Sequence, residues 1–132
     1  MQLSIKIITA FLIFAFLTTA IYGVTKDTGK PVNENTAASL LTGLNSDNRG
    51  LKTSCAYFLG EFKVTKAIIP LMRILKNNKD EKIRIAAALA LYKIGTPMSI
   101  FAVKQAGRFD DSERVRKLSS KFYYDYLINL DK

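Results

Sequence analysis

Apolar positions fall into two regimes along the chain. Residues 7–17 read I-I-T-A-F-L-I-F-A-F-L, a nearly unbroken apolar run, and a polar stretch follows to about residue 35. From there on apolar residues recur at helical spacing. Leu40, Leu41 and Leu44 share one face, as do Ile68, Ile69, Met72 and Leu75, and then Ile100, Phe101 and Val103. The densest stretch is Ile83–Gly95, I-R-I-A-A-A-L-A-L-Y-K-I-G. Alanine is the best helix former, and nothing breaks a helix here before Gly95. The block Ala86, Ala87, Ala88 and Ala90 lets another helix come close, so this helix is predicted to be sandwiched between others. Alternating polar–apolar runs are absent, and no strand is predicted.

The central pattern occurs three times at a fixed interval, a period of about 32 residues of the kind that marks helical repeat arrays. Leu51-Lys52 and Val115-Arg116 fall under Ile83-Arg84. Ser54, Cys55 and Ala56 fall under the alanines 86–88, with Leu118, Ser119 and Ser120 a looser match. Ala90 corresponds to Phe58 and Phe122, Leu91 to Leu59 and Tyr123, and Ile94 to Phe62 and Tyr126. Three copies at one period signify a repeat protein. An aliphatic residue followed by Arg or Lys, then small residues, then Ala-Leu and a closing Ile-Gly resembles the second helix of a HEAT repeat, the bacterial HEAT-like versions above all. The resemblance covers about residues 37–127. It is best in the middle copy, while Phe58 and Gly60 in the first copy and Leu118 and the tyrosines in the third depart from it.

The resemblance implies an all-α fold, an α-solenoid of three antiparallel helix pairs over residues 36–130. One pair cannot bury its apolar face alone, whereas stacked neighbours share a continuous core. It also implies that second helices line the concave face, the usual binding surface of such arrays. Outward candidates there are Lys63, Lys93, Arg114, Lys117 and Lys121. Lys52, Arg84 and Arg116 would form a ladder. In the family such a residue usually bonds the turn before its helix, often through an Asp, and Asp47, Asp80 and Asp111 are placed for it.

Local signals set the boundaries. Thr36 is expected to cap the first helix. Residues 45–48 form a turn, and the second helix follows from about 48 to 63. A third is expected over 65–78 with Pro70 near its first turn, where a missing N–H costs little. Thr96 caps the next helix with Pro97 at its first position, and Gly107 is expected to end it. Asp110, Asp111, Ser112 and Glu113 open the last helix, where the dipole favours negative groups.

The N-terminus has different grammar. One positive charge, an apolar run, and small residues at Thr18, Thr19, Ala20 and Gly23 are the signature of a secretory signal peptide over residues 1–23. Cleavage is expected after Ala20 or Gly23, followed by a polar linker over 24–35. The protein would then be exported, periplasmic or secreted. The rival reading is an inner-membrane anchor, because residues 7–24 hold 18 positions without a charge. A lipid anchor needs a Cys at the cleavage point, and the single Cys is at 55.

Charge narrows the partners. Lys and Arg number 20 against 11 Asp and Glu, a net charge of +9 that becomes 19 − 11 = +8 once Lys6 leaves with the signal. Such a balance calls for an anionic partner, here an acidic protein, or serves only to keep a small exported protein soluble. Nucleic acid is not expected of an exported chain, and a membrane contact is expected only if the N-terminal segment stays uncleaved. There is no His and a single Cys. No G-x-S-x-G, P-loop or H-E-x-x-H occurs. Neither a metal, a cofactor nor catalysis is expected, and the carboxylates at 80–81 and 110–113 read as helix caps. Cys55 shares its position with Ala87 and Ser119, a small buried slot. Finally, Phe122, Tyr123, Tyr126, Leu127 and Leu130 make the last helix bulky. They fill space against the preceding pair, or Tyr123 and Tyr126 front an exposed patch for a homodimer or partner.

The expected function is that of a non-enzymatic protein–protein interaction module or scaffold using its basic concave face. The alternative is a structural or accessory subunit of an envelope complex, docked through the aromatic C-terminal helix. A lyase-like accessory or a nucleic-acid binder ranks below both.

Overall fold

The computed structural model describes residues 31–130. The expected signal segment, residues 1–23, and the linker up to residue 30 lie outside the described residues. Val32–Lys132 is a compact unit. Its helices are α1 (Glu34–Gly43), α2 (Arg49–Glu61), α3 (Ile68–Asn77), α4 (Glu81–Ile94), α5 (Pro97–Phe109) and α6 (Glu113–Leu130), with a 3-10 turn, Thr65–Ala67, leading into α3. No strand occurs among the described residues. Consecutive helices pair as α1–α2, α3–α4 and α5–α6, and the second helices α2, α4 and α6 stack on one another. This is the expected three-pair solenoid.

The caps repeat with the same period as the sequence. The Asn48 side chain accepts from Leu51 N at 3.0 Å and Asp80 from Lys82 N at 2.8 Å, while the hydroxyl of Ser112 receives a longer contact from Val115 N at 3.4 Å. Thr96 caps α5 with Pro97 behind it, as expected. Gly95 ends α4 in the left-handed region at φ 70°, which a Cβ would strain.

Three expectations on these elements are corrected. Asn33 rather than Thr36 caps α1, because its carboxamide accepts from Asn35 N and starts the helix earlier. Ile69 and Phe101 leave the predicted stripes, 54% and 59% exposed. The inward faces of α3 and α5 run through Ile68, Leu71 and Leu75 and through Ile100 and Val103, and a residue one position on is turned about 100° away. Gly107 does not stop α5, which continues to Phe109. It is instead a contact point: a Cβ there would fall 2.7 Å from Ser120 Oγ on α6.

The core is centred on α4, which packs against α2, α3, α5 and α6. Leu59, Leu71, Leu91, Val103 and Val115 are fully buried. Each aliphatic side chain so buried contributes about 1.5–3 kcal/mol before entropy is counted. Ala87, Ala88 and Ala90 have no exposed surface, which is what the alanine block predicted. Gly60, a departure from the repeat pattern, now has a reason. A Cβ at Gly60 would lie 2.7 Å from Ala90 Cα, so α2 and α4 touch backbone to backbone there. Cys55, Ala87 and Ser119 all occupy the buried slot expected of them, and Ser119 Oγ is buried without a hydrogen-bond partner among the described residues.

Candidate interaction surface

The ladder positions behave unequally. Arg84 donates from Nε and Nη2 to both carboxylate oxygens of Asp110, at 2.9 and 2.8 Å, and from Nη1 to the carbonyls of Asn78 and Lys79 at 2.8 and 3.1 Å. Both side chains of the ion pair are largely buried, 11% and 7% exposed. Arg116 Nη1 donates to the carbonyls of Asp110 and Asp111 at 2.5 and 3.0 Å. Each arginine therefore laces the turn that precedes its own helix, as helix–turn locking requires. Lys52 takes no part in such bonds among the described residues. An ammonium lacks the planar fork that spans two carbonyls and a carboxylate at once.

The acidic partner is not among those expected. Asp110 fills the role assigned to Asp47, Asp80 and Asp111. It holds the place in its repeat that Asn78 and Ser46 hold in theirs, and the three side chains accept the N–H of the residue two further on, at 2.9, 2.9 and 3.1 Å. That shared turn fixes the Asp110 carboxylate beside the preceding repeat, within reach of Arg84. Asp80 instead caps α4 and pairs with Arg49 at 3.2 Å, and Asp111 offers its carbonyl to Arg116. Burial opposes ionisation of Asp110. The hydrogen bonds from Arg84 and from the Ser112 N–H, together with the charges of Arg84 and Arg116, outweigh it and hold the carboxyl below its usual range. The hydrogen bond to Asp110 likewise raises Arg84 against the effect of its burial.

The candidate cations separate into tied and free. Lys93 is tied to Glu61 by an ion pair and lies 5.1 Å over the Tyr57 ring. Hydrogen bonds from Lys93 and Tyr57 hold Glu61 below its usual range, and the bond to Glu61 raises Tyr57. Arg114 meets Glu81 at 3.5 Å, both partly exposed. These ties cross between repeats, as do Lys66–Glu34 at 3.1 Å and Ser112 Oγ to Glu81 at 2.6 Å, and each spans close to one repeat length in sequence. That interval is the signal that would have found them. Lys117 and Lys121 on α6 are exposed with no ion pair among the described residues, and Lys63 is exposed at the end of α2 with φ 50°.

The aromatic helix is also divided. Phe122 stacks on Tyr92 at 5.5 Å, and Lys104 lies 5.3 Å over Tyr123. Tyr123 and Tyr126, the candidate patch residues, are half-buried, as the space-filling reading expected. The residues that α6 turns outward are Tyr124, Leu127, Ile128 and Leu130.

Among the described residues no group of three or more His, Cys, Asp or Glu is arranged to hold a metal ion, and no helix is long and apolar enough to cross a membrane. A groove of about 450 Å³ opens between α3 and α5, floored by Met72, Leu75, Ala102 and Ala106. No curated protein matches the chain. Residues 37–120 match the family described as HEAT repeats. With three stacked helix pairs, caps and cross-repeat ion pairs that recur in register with the repeat, and that match over most of its length, the chain belongs to the HEAT repeat family.

Proposed function

We propose that this protein is an exported interaction module that holds an acidic protein partner on the face formed by its second helices. HEAT repeats serve widely as protein-interaction scaffolds and are generally non-enzymatic. The observation that carries the reading is the pair Lys117 and Lys121, exposed cations on α6 that are not consumed by the ion pairs between repeats. Export rests on the apolar run at 7–17 followed by small residues. Binding would proceed by shape and charge complementarity, with no chemistry.

The test is affinity capture from envelope extract beside a Lys117→Glu/Lys121→Glu variant. Lys93 is left alone, since its loss would break the tie to Glu61. A partner kept by the native protein and lost by the variant supports the reading. Equal capture by both sinks it. The outward Tyr124, Leu127, Ile128 and Leu130 favour a second reading, docking of α6 on a second copy or a complex subunit. Sedimentation as a monomer at high concentration would exclude the homodimer.

A further inference from the structure

The first helices carry a surface that the second-helix reading leaves unused. From Thr65 to Asn77 and from Pro97 to Phe109 there are five Lys and Arg and no Asp or Glu. The same two segments expose Ile69, Met98, Phe101 and Phe109, at 54%, 54%, 59% and 73%. The repeat register puts these residues in rows across α3 and α5, which pack side by side. Ile69 lies in the same row as Phe101, and Lys76 in the same row as Arg108, each pair one repeat apart. Within α5, Met98, Phe101 and Phe109 share one face at helical spacing. Phe101, Phe109 and Lys76 border the apolar groove between the two helices. The one carboxylate at that groove, Asp110, is already held by Arg84.

We propose that this α3–α5 face docks on the surface of an anionic lipid bilayer, its phenylalanines, Ile69 and Met98 entering the headgroup boundary and its cations meeting the phosphates. Charge complementarity carries the choice of occupant. Carboxylates occur on α1, α2, α4, α6 and the turns, so the absence of any on α3 and α5 is particular to this face. Among the described residues, Lys66 alone of its cations is paired with a carboxylate, that of Glu34, and the pair is highly exposed. Protruding large apolar side chains set among Lys and Arg are the composition of interfacial membrane binders. The largest apolar groups, Phe101 and Phe109, stand at the border of the groove rather than on its floor and reach out toward an adjoining surface. The face is separate from Lys117 and Lys121, so a bilayer and a protein partner would be held at once.

Vesicle flotation tests this. The unit 32–132 is used, since it is a compact unit of the fold, and a cooperative circular-dichroism melt of the native unit and of each variant accompanies the assay. Vesicles are phosphatidylglycerol with phosphatidylcholine, or phosphatidylcholine alone. The native unit should float with the anionic vesicles only. Phe101→Ser/Phe109→Ser and Lys76→Gln/Arg108→Gln should each weaken partitioning on the order of tenfold or more with unchanged melts, since all four side chains are exposed. Lys117→Gln/Lys121→Gln should leave it intact. No preference for anionic vesicles, or an equal loss in the Lys117/Lys121 control, overturns the proposal. So does binding of a Glu-rich amphipathic peptide at this face, blocked by the same variants, with no vesicle binding; that result would assign the face to a protein helix.

Discussion

Replacing Gly60 by Ala tests the central packing claim, because local and tertiary effects oppose each other there. In a helix interior Ala is favoured over Gly by about 1 kcal/mol. The new Cβ would meet Ala90 Cα at 2.7 Å, Ala90 Cβ at 3.1 Å and Ala90 O at 3.2 Å, where ordinary contact is 3.4–4 Å. Two of these atoms are backbone, so no rotamer change relieves them. α2 and α4 must part by most of an ångström, and a gap of that size forfeits a quarter to a half of each contact along the seam where Gly60 meets Ala90. Overpacking of this kind costs about 1–3 kcal/mol, and with backbone as the obstacle the upper end applies. Subtracting the propensity gain leaves a net loss of about 2 kcal/mol. For a unit of this size that lowers the melting temperature by about 10 °C. Gly50→Ala is the matched control: the nearest atom to its Cβ is Asn48 Oδ1 at 3.3 Å, the cap acceptor of Leu51 N, with no backbone atom in the way. The helix-propensity gain and the slight crowding of the cap offset each other, so stability should change by under about 0.5 kcal/mol. Thermal and urea melts of both variants decide the matter. A Gly60→Ala protein as stable as the native one would refute the backbone contact between α2 and α4.

Four further outcomes are expected. Arg84→Ala strands a buried carboxylate and two turn carbonyls, and should cost about 3 kcal/mol in urea unfolding, whereas Lys52→Ala at the equivalent position should cost under about 1 kcal/mol. Asp110 has a folded pKa below its unfolded value of 3.8, so its contribution is present above that value and is lost as pH falls through the folded pKa; acid titration of stability should show this loss, and Asp110→Asn should flatten it. Cys55 is buried and its thiol is pushed up by desolvation, so a thiol reagent at neutral pH should label it only at the rate of local opening, and prompt stoichiometric labelling of the folded protein would contradict its burial. Ser119→Ala removes a buried hydroxyl without a partner and restores the residue found at 87, so the melt should rise by the equivalent of about 1 kcal/mol.

The sequence by itself determined the helices, their order and their period. Those properties are local: alanine-rich propensity, the turn at 45–48, the carboxylates at 80–81 and 110–113 ahead of their helices, an aliphatic position that returns once in every repeat. The buried slot at Cys55, Ala87 and Ser119 was legible for the same reason, because equivalent positions in a stack share an environment. Side-chain partners were not legible. Asp110 rather than Asp111 holds Arg84, since the choice depends on where a turn places a carboxylate in space, and the tie of Lys93 to Glu61 depends on how two helices lean together. Exposure too is decided by the stack and not by the pattern. Leu51, Ile83 and Val115 hold the same repeat position, yet they are 49%, 8% and 0% exposed. A preceding second helix lies over Ile83 and over Val115, while Leu51 belongs to the first second helix of the described array, and hydrophobic burial depends on the neighbour that excludes water, which no single repeat encodes.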